Sequence, residues 1–308
     1  MLEVDVIIPV YKPTRKLLAL LDGLMGQTLK IHRIILINTE KKYFDSFIQG
    51  MDFQEKYKKV SVYHIKKEDF DHGGTRNYGV SLSKAPYFIM MTDDAVPGNE
   101  QMVEHLMSHF KNPDTGMAYA RQVPGTDCSL LERYARSFNY PEVSCVKSAE
   151  NLEDMGIKAF FASNVCAAYR RDIFEALGGF TGHTIFNEDM IYARGVIDAG
   201  YLIAYEAGAE VVHSHNYSGS EQFHRYFDLG VSHARYPKVF SGVATESEGA
   251  RMVKTACPYL LKKGKPWLIL KLVWQSGCKY TGYFMGKRYK KMPVKLVKAF
   301  SMNKEYWK

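Results

Sequence analysis

The sequence has no stretch of about 18 uninterrupted apolar residues, no cysteine pair spaced CxxC, no internal repeat and no low-complexity tract. The first absence removes a helical membrane span. MLEVDVIIPV enters an apolar run with neither a basic leader nor a small-residue cleavage site, so export is not expected either. Five cysteines (Cys128, Cys145, Cys166, Cys257 and Cys278) are odd in number and scattered, as suits free thiols in a reducing compartment. They read as small core residues, since a nucleophilic thiol would need a paired base that the sequence does not advertise. Acids are almost missing from one region: from Arg251 to Lys308, fifteen Lys and Arg face only Glu305. That region carries +14 and residues 1–250 carry −6, which together give the +8 of the whole chain. No nucleic-acid-binding motif accompanies this basicity, so no nucleic-acid partner is expected.

The 308 residues, 46% hydrophobic, suffice for one large α/β domain with a smaller appendage. Val4–Val10 is a β-branched run closed by Pro9, Tyr11 and Pro13, as for a strand buried on both faces that emerges into a loop. A helix over Lys16–Leu24, a strand at Arg33–Ile37 and another at Val60–Ile65 follow. This β-α-β-α-β alternation predicts a parallel sheet with right-handed crossovers, which binds ligands beyond the carboxyl ends of its strands. Further expected elements are a helix over Asn77–Leu82, a strand at Tyr87–Met91, a helix over 100–110 and a strand at Phe160–Tyr169. After these come helices over Arg171–Leu177 and Glu188–Ala199, and a strand at Ala209–His213.

Four clusters carry candidate chemistry. Thr92-Asp93-Asp94 follows the YFIMM strand, where carboxylates could hold Mg²⁺ or Mn²⁺ against a diphosphate, or simply make a turn or helix cap. In HGGTRNYG the glycines allow close backbone approach, and Arg76 at a helix start could meet a phosphate; a tight turn with Asn77 as cap accounts for the string equally well. Asn187-Glu188-Asp189 opens a helix after a flexible Gly178–Gly182 loop, so Asp189 is available as a general base, with capping as the plainer use. His213 and His215 lie two apart in an extended segment, so both imidazoles can face one metal or pyrophosphate, or simply line the surface.

Together, and in this order, the clusters resemble glycosyltransferase family two, inverting enzymes of the GT-A fold, and more narrowly its bacterial rhamnosyltransferase-like branch. The resemblance runs from Val4 to about Ser218, through VDVIIPVYKP, HGGTRNYG, MTDDAVP, GGFTGHTIFNEDMIYARGVIDAGY and AEVVHSHNYS. It implies a Rossmann-like, mostly parallel sheet over residues 1–220 and a basic helical region over 221–308. Pro9, Val10 and Tyr11 would border the nucleotide base, with Arg76, Asn77, Glu40 and Asp93 also on the nucleotide sugar. Asp94 would bind Mg²⁺ or Mn²⁺, with His213 or His215 as a further ligand, and Asp189 would deprotonate the acceptor hydroxyl with Glu188 orienting it. Two departures stand out: after the second strand only Asn38 and Glu40 replace an acidic pair, and Thr92 takes the place of the first Asp of a D-x-D segment. The resemblance favours dTDP-L-rhamnose as donor and a lipid-linked surface polysaccharide as acceptor. A UDP-sugar donor, or a non-catalytic nucleotide-sugar-binding subunit, is the alternative.

The tail interleaves its cations with Trp267, Leu268, Ile269, Leu270, Val273, Trp274, Tyr280, Tyr283, Phe284 and Met285. That composition suits an anionic membrane surface and predicts a cytoplasmic protein peripheral to the inner face of the cell membrane. An ordinary solvated helical subdomain, or a surface for homo-oligomers, is the other use of such a tail.

Overall fold

The computed structural model describes residues 3–240 and 246–307. β1 (Val4–Tyr11) leads into α1 (Arg15–Met25), whose first turn is capped by the Thr14 hydroxyl accepting from the Lys16 amide. There follow β2 (Arg33–Thr39), α2 (Lys41–Ile48), the one-turn α3 (Phe53–Lys56), β3 (Val60–Ile65), α4 (His72–Ser81) and β4 (Tyr87–Met91). The middle of the chain holds β5 (Val96–Pro97), α5 (Met102–Ser108), β6 (Thr115–Val123), α6 (Leu130–Asn139), β7 (Cys145–Lys147) and α7 (Leu152–Met155). β8 (Cys166–Arg170), α8 (Arg171–Ala176), α9 (Glu188–Asp198) and β9 (Leu202–Val212) come next. Helices then take over: α10 (Gly219–Arg235), α11 (Pro237–Phe240), α12 (Glu246–Lys262), α13 (Leu268–Gly286) and α14 (Val294–Phe300).

Among the described residues all nine strands join one mixed sheet, ordered β3-β2-β1-β4-β8-β6-β9-β5, with β7 also on β9. The block β3-β2-β1-β4 is parallel, as the alternating pattern implies. β8 enters antiparallel between β4 and β6, while β6 and β9 run parallel to each other. The carboxyl ends of β1, β2, β4, β6 and β9 therefore share one edge, and the residues just before β8 are delivered to that edge too. Both faces are covered, so successive β1 residues serve different cores. Val6 and Ile8 pack with Leu17, Leu20 and Leu21 of α1, whereas Ile7 joins the cluster that holds Phe88, Tyr169 and Phe174.

Several boundaries differ from the sequence expectation. The helix expected from Asn77 starts at His72, because the Asp71 carboxylate accepts from the Gly74 amide (2.6 Å) and caps it five residues earlier. Of Phe160–Tyr169 only the stretch from Cys166 is strand. Gly156–Phe160 is a 3₁₀ turn whose Phe160 is buried against Phe240, and an apolar run alone does not tell the two apart. β6, α6 and the first half of β9 have no counterpart among the elements expected from the sequence. The expected transition to the basic region, near Ser220–Gly249, runs through α10, and its residues 241–245 lie outside the described residues.

α10 and α13 cross with almost no side chain between them. A Cβ on Gly282 would lie 2.3 Å from the Phe223 carbonyl oxygen, one on Gly286 2.1 Å from that of Phe227, and one on Gly230 2.3 Å from that of Tyr283. Among the described residues, no helix is long and apolar enough to cross a membrane.

Candidate active site

Asp94 and the two histidines meet because three strand ends converge. Val96 of β5 and Val123 of β6 both pair with Val212 at the end of β9, and the His213 amide donates to the Val123 carbonyl (3.0 Å). His213 Nε2 then lies 3.5 Å from Asp94 Oδ1, His215 Nε2 lies 3.3 Å from Asp94 Oδ2, and the two Nε2 atoms are 3.0 Å apart. One ligand atom from each of the three residues falls within 4.8 Å of the others, with His213 buried and its companions half-buried. Burial lowers the His213 pKa to about 3 against the opposing pull of Asp94, so its contact with Asp94 involves a neutral imidazole and is no ion pair. Burial also lowers His215.

Gln122, which the sequence reading missed, sets the tautomer. Its Nε2 donates to Tyr140 Oη (2.5 Å) and Ser163 Oγ (3.1 Å), while its Oε1 accepts from Arg136 and lies 3.0 Å from His213 Nδ1. An amide oxygen only accepts, so the closer Gln122 contact favours the proton on Nδ1 over the opposing 3.5 Å approach of the Arg136 guanidinium, and that tautomer leaves the Nε2 lone pair facing Asp94 and His215. A carboxylate oxygen with two neutral imidazoles is a suitable donor set for a divalent ion, and its nitrogen share suits Mn²⁺ better than Mg²⁺. Thr92 Oγ1, buried beside Asp93 and Asp94, has no hydrogen-bond partner of its own.

On the neighbouring strand ends, Asp93 Oδ2 accepts from the Tyr11 amide (3.4 Å). Burial, then the charge of Asp94, pushes Asp93 up to about 6. Pro9 and Val10 lie in β1, beside Ile37 and Asn38 of β2. Buried Asn38 makes one contact, to His64 (2.9 Å), and its Oδ1 is left without a partner. Glu40 stands at the N-cap position of α2 with φ at +67°, but its side chain does not cap the helix; it is turned away to accept from the Lys67 amide (3.2 Å), a bond that, with Lys42, holds its carboxyl below the usual range.

The second acidic centre sits in the first turn of α9. Asp189 is half-buried; its Oδ2 accepts from the backbone amide of Asn164 (3.0 Å) and its Oδ1 from that of Met190 (2.8 Å). Burial, then the charge of Glu188, raises its pKa to about 7 in spite of these bonds. Glu188 is fully enclosed. Burial opposes its ionisation, but Arg76 Nη1 at 3.2 Å, His72 and the Asn164 amide side chain, donating at 3.2 Å, hold it below the usual carboxylate range. Asn164 is fixed in turn by Tyr169, whose hydroxyl donates to Oδ1 (2.6 Å). The next residue, Val165, accepts from the Thr92 amide through its carbonyl (3.2 Å), so two consecutive residues join the two acidic centres. Neither acid caps α9 as the plainer reading of the motif had it; that position belongs to Asn187, in the left-handed region at φ +67°.

Arg76 is turned toward this second centre, and Asn77 toward the loop at Phe180. Arg76 Nη1 also donates to the His72 carbonyl (2.8 Å), and its Nε has no partner. Asn77 clasps the Phe180 backbone from both sides, Nδ2 donating to the carbonyl (2.7 Å) and Oδ1 accepting from the amide (3.0 Å). Asp71 Oδ2 accepts from the His183 amide (3.0 Å), and a Cβ on Gly73 would stand 2.0 Å from the Thr181 carbonyl oxygen. The loop read as flexible is thus stitched to the start of α4. Arg225 of α10 is a further cation that local sequence did not single out. Its guanidinium rests on the rings of Phe186 (4.7 Å) and Tyr217 (5.7 Å), next to His215, whose own ring stacks on Tyr217 (5.1 Å). The five cysteines are free, but only Cys128 and Cys166 are the core residues expected of all five; burial pushes the Cys166 thiol up in pKa, whereas Cys257 and Cys278 are half-buried and Cys145, on the short outer strand β7, is exposed.

Residues 5–178 match the family model described as Glycosyl transferase family 2. The O-antigen chain rhamnosyltransferase RfbN of Salmonella typhimurium is 38% identical over 310 residues, covering 99% of this chain and 96% of the relative. WbaN, an O-antigen chain rhamnosyltransferase of Salmonella anatum, is 41% identical over 247 residues, 79% of this chain and 78% of the relative. Two solved structures share the fold at 12% identity. The mannosyltransferase PcManGT from Pyrobaculum calidifontis, in complex with GDP-Man and Mn²⁺, has a TM-score of 0.57 and covers 99% of this chain and 84% of its own. S. aureus TarS 1-349 in complex with UDP-GlcNAc has a TM-score of 0.58, over 99% and 85%.

Proposed function

The chain belongs to glycosyl transferase family 2, and from that premise we propose that it transfers L-rhamnose from dTDP-L-rhamnose to a hydroxyl of a lipid-linked surface-polysaccharide precursor, with inversion, at the inner face of the membrane. The whole-length relatedness to two O-antigen rhamnosyltransferases supports the donor and the acceptor class. The observation that carries the chemistry is the pair of centres on one sheet edge. One offers a base that is half ionised near neutral pH, the other a cluster of metal-type ligands, and Asn164-Val165 holds them in register.

In this reading Asp189 takes the proton from the acceptor hydroxyl as the oxygen attacks the anomeric carbon, and the nucleoside diphosphate leaves from the opposite face. A base with pKa near the working pH combines a useful ionised fraction with adequate proton affinity. Glu188 stays ionised on Arg76 and orients the Asn164 side of the site. Asp94, His213 and His215 would hold the divalent cation, whose contribution when bound is to offset the charge that grows on the diphosphate. Arg225 supplies a further positive charge for that leaving group. The β1 end, Pro9 to Tyr11, would border the nucleotide, with Tyr11 as its exposed member. One carboxylate base and one leaving-group clamp suffice for a single displacement, with no second carboxylate nucleophile.

A donor panel followed by nucleoside-diphosphate release, with and without chelator, tests this reading. Release from dTDP-L-rhamnose that chelator abolishes and Mn²⁺ restores is the expected result. Turnover confined to a UDP- or GDP-sugar would replace the donor assignment, and no release from any donor with a membrane extract as acceptor would overturn enzymatic transfer.

A further inference from the structure

α13 has two unlike long faces. One packs on α10 through Gly282, Tyr283 and Gly286. On the other, Leu270, Val273, Trp274, Tyr280 and Phe284 recur at helical spacing and stand exposed, Leu270 by 77% and Trp274 by 67%. Fourteen residues separate Leu270 from Phe284, so the stripe is about 21 Å long. No charged residue interrupts it, and α13 carries no acid at all. Cations bracket the stripe: Lys262, Lys263 and Lys265 before the helix, and Lys287, Arg288, Lys290 and Lys291 after it, all exposed. Arg288 lies over the Phe284 ring at 3.5 Å and Lys265 over Trp267 at 5.0 Å, so these long side chains cover the ends of the apolar face while keeping their charges in water.

An exposed apolar stripe of this length needs a partner. A second copy would bring the same cations face to face across a two-fold axis, and the one acid of the region, Glu305, is already paired with Lys67 (3.1 Å). An anionic bilayer complements both parts of the surface. α13 also lines, with Lys271 and Lys279, a cavity that reaches His215, Tyr217 and Gln222. These lining residues lie on the inward face of α13, so a helix docked through its exposed stripe would hold that cavity one helix diameter, roughly 10 Å, from the bilayer.

We propose that the exposed face of α13 docks on an anionic lipid bilayer, the apolar stripe entering the headgroup–acyl boundary and the flanking cations binding lipid phosphates. This deepens the reading of a membrane-borne acceptor, and for its purpose rests on it. The test is flotation of the full chain with phosphatidylglycerol–phosphatidylethanolamine vesicles against pure phosphatidylcholine vesicles, at low and high salt. Nucleoside-diphosphate release from dTDP-L-rhamnose with a detergent-solubilised membrane extract as acceptor, and mass by light scattering, are measured on the same protein preparations. The wild type is expected to float with the anionic vesicles, less so at high salt, and not with the neutral ones. The variants Leu270→Glu with Val273→Glu, and separately Lys290→Glu with Lys291→Glu, are expected to partition on the order of tenfold less. Both keep their thermal melting and their diphosphate release. Wild-type protein that stays unbound, or that binds neutral vesicles equally, overturns docking, as do variants that float like wild type. A dimer that the Leu270→Glu, Val273→Glu pair converts to monomer overturns it in favour of a second copy. Lost flotation with intact diphosphate release in the variants supports docking and leaves transfer standing, whereas intact flotation without release in the wild type would sink transfer alone.

Discussion

Replacing Glu188 with Gln should move the acid limb of the pH–rate profile downward, because the Glu188 charge helps to hold Asp189 at about 7. Both carboxylates accept from Asn164, one from its side chain and one from its backbone, so they lie within one residue's span of each other. At roughly 6 Å and an effective dielectric of about 20, two unit charges repel by about 3 kcal/mol. That is roughly two pKa units, which would bring Asp189 near 5. Arg76 works in the same direction, since losing its anionic partner leaves its charge free to favour Asp189 ionisation. At pH 6 a base of pKa about 7 is roughly one-tenth ionised and a base of pKa about 5 roughly nine-tenths, so the variant keeps more of its own maximal rate in mild acid. The maximal rate itself should fall, as a weaker base takes the proton less readily. Gln retains the shape and an amide oxygen for Arg76 and Asn164, which limits the damage to folding compared with an apolar replacement. The assay is kcat/KM for diphosphate release across the pH range, beside circular dichroism to confirm the fold. An acid limb that stays in place, or moves to higher pH, would refute the coupling and with it the role of Asp189 as the titrating base.

Three further outcomes follow from the same geometry. Asp189→Asn should reduce transfer by on the order of 10²–10⁴-fold, yet raise the melting temperature at pH 8. A carboxyl whose folded pKa stands above its unfolded one costs stability as pH climbs from about 4 to about 7, and Asn removes that cost, so the gain should vanish in acid. A melting temperature lowered equally at all pH values would contradict this. Gln122→Leu should weaken Mn²⁺ binding about 10–100-fold, seen by electron paramagnetic resonance without any substrate, through loss of the bond that directs His213 Nε2; unchanged affinity would mean that His213 is not held by Gln122. Gly73→Ala should cost about 1–3 kcal/mol or more by thermal melting, since its Cβ would stand 2.0 Å from the Thr181 carbonyl oxygen and push the 178–183 loop off α4. A neutral effect would show that the loop is not pinned there.

Much of the site could be read along the chain because its strand ends carry their chemistry in adjacent residues. Asp93 and Asp94 follow β4 directly, and His213 and His215 follow β9 at alternate positions, so period and strand end sufficed to place them on one edge. Arg76 and Asn77 were legible as special residues, but their observed partners were not. Arg76 is ion-paired to Glu188 across more than a hundred positions, and Asn77 holds Phe180 by the same long-range packing. Gln122, Asn164 and Arg225 carried no local signal: a glutamine in an apolar strand, an asparagine before a short one and an arginine on an amphipathic helix are all ordinary.

Sequence alone determined the parallel core block, the order of the four clusters and the charge division between the first 250 residues and the tail. These depend on period, β-branching and composition, which are properties of contiguous residues. Tertiary structure decided which side chains share a partner. The antiparallel entry of β8 carries Asn164 and Val165 to the edge where Asp189 and Thr92 wait, and a pKa of about 7 for Asp189 arises only from that enclosure and from Glu188 beside it. It also decided which face of α13 is left in solvent, because the glycines at 282 and 286 let one side close on α10 and turn Leu270, Trp274 and Phe284 outward.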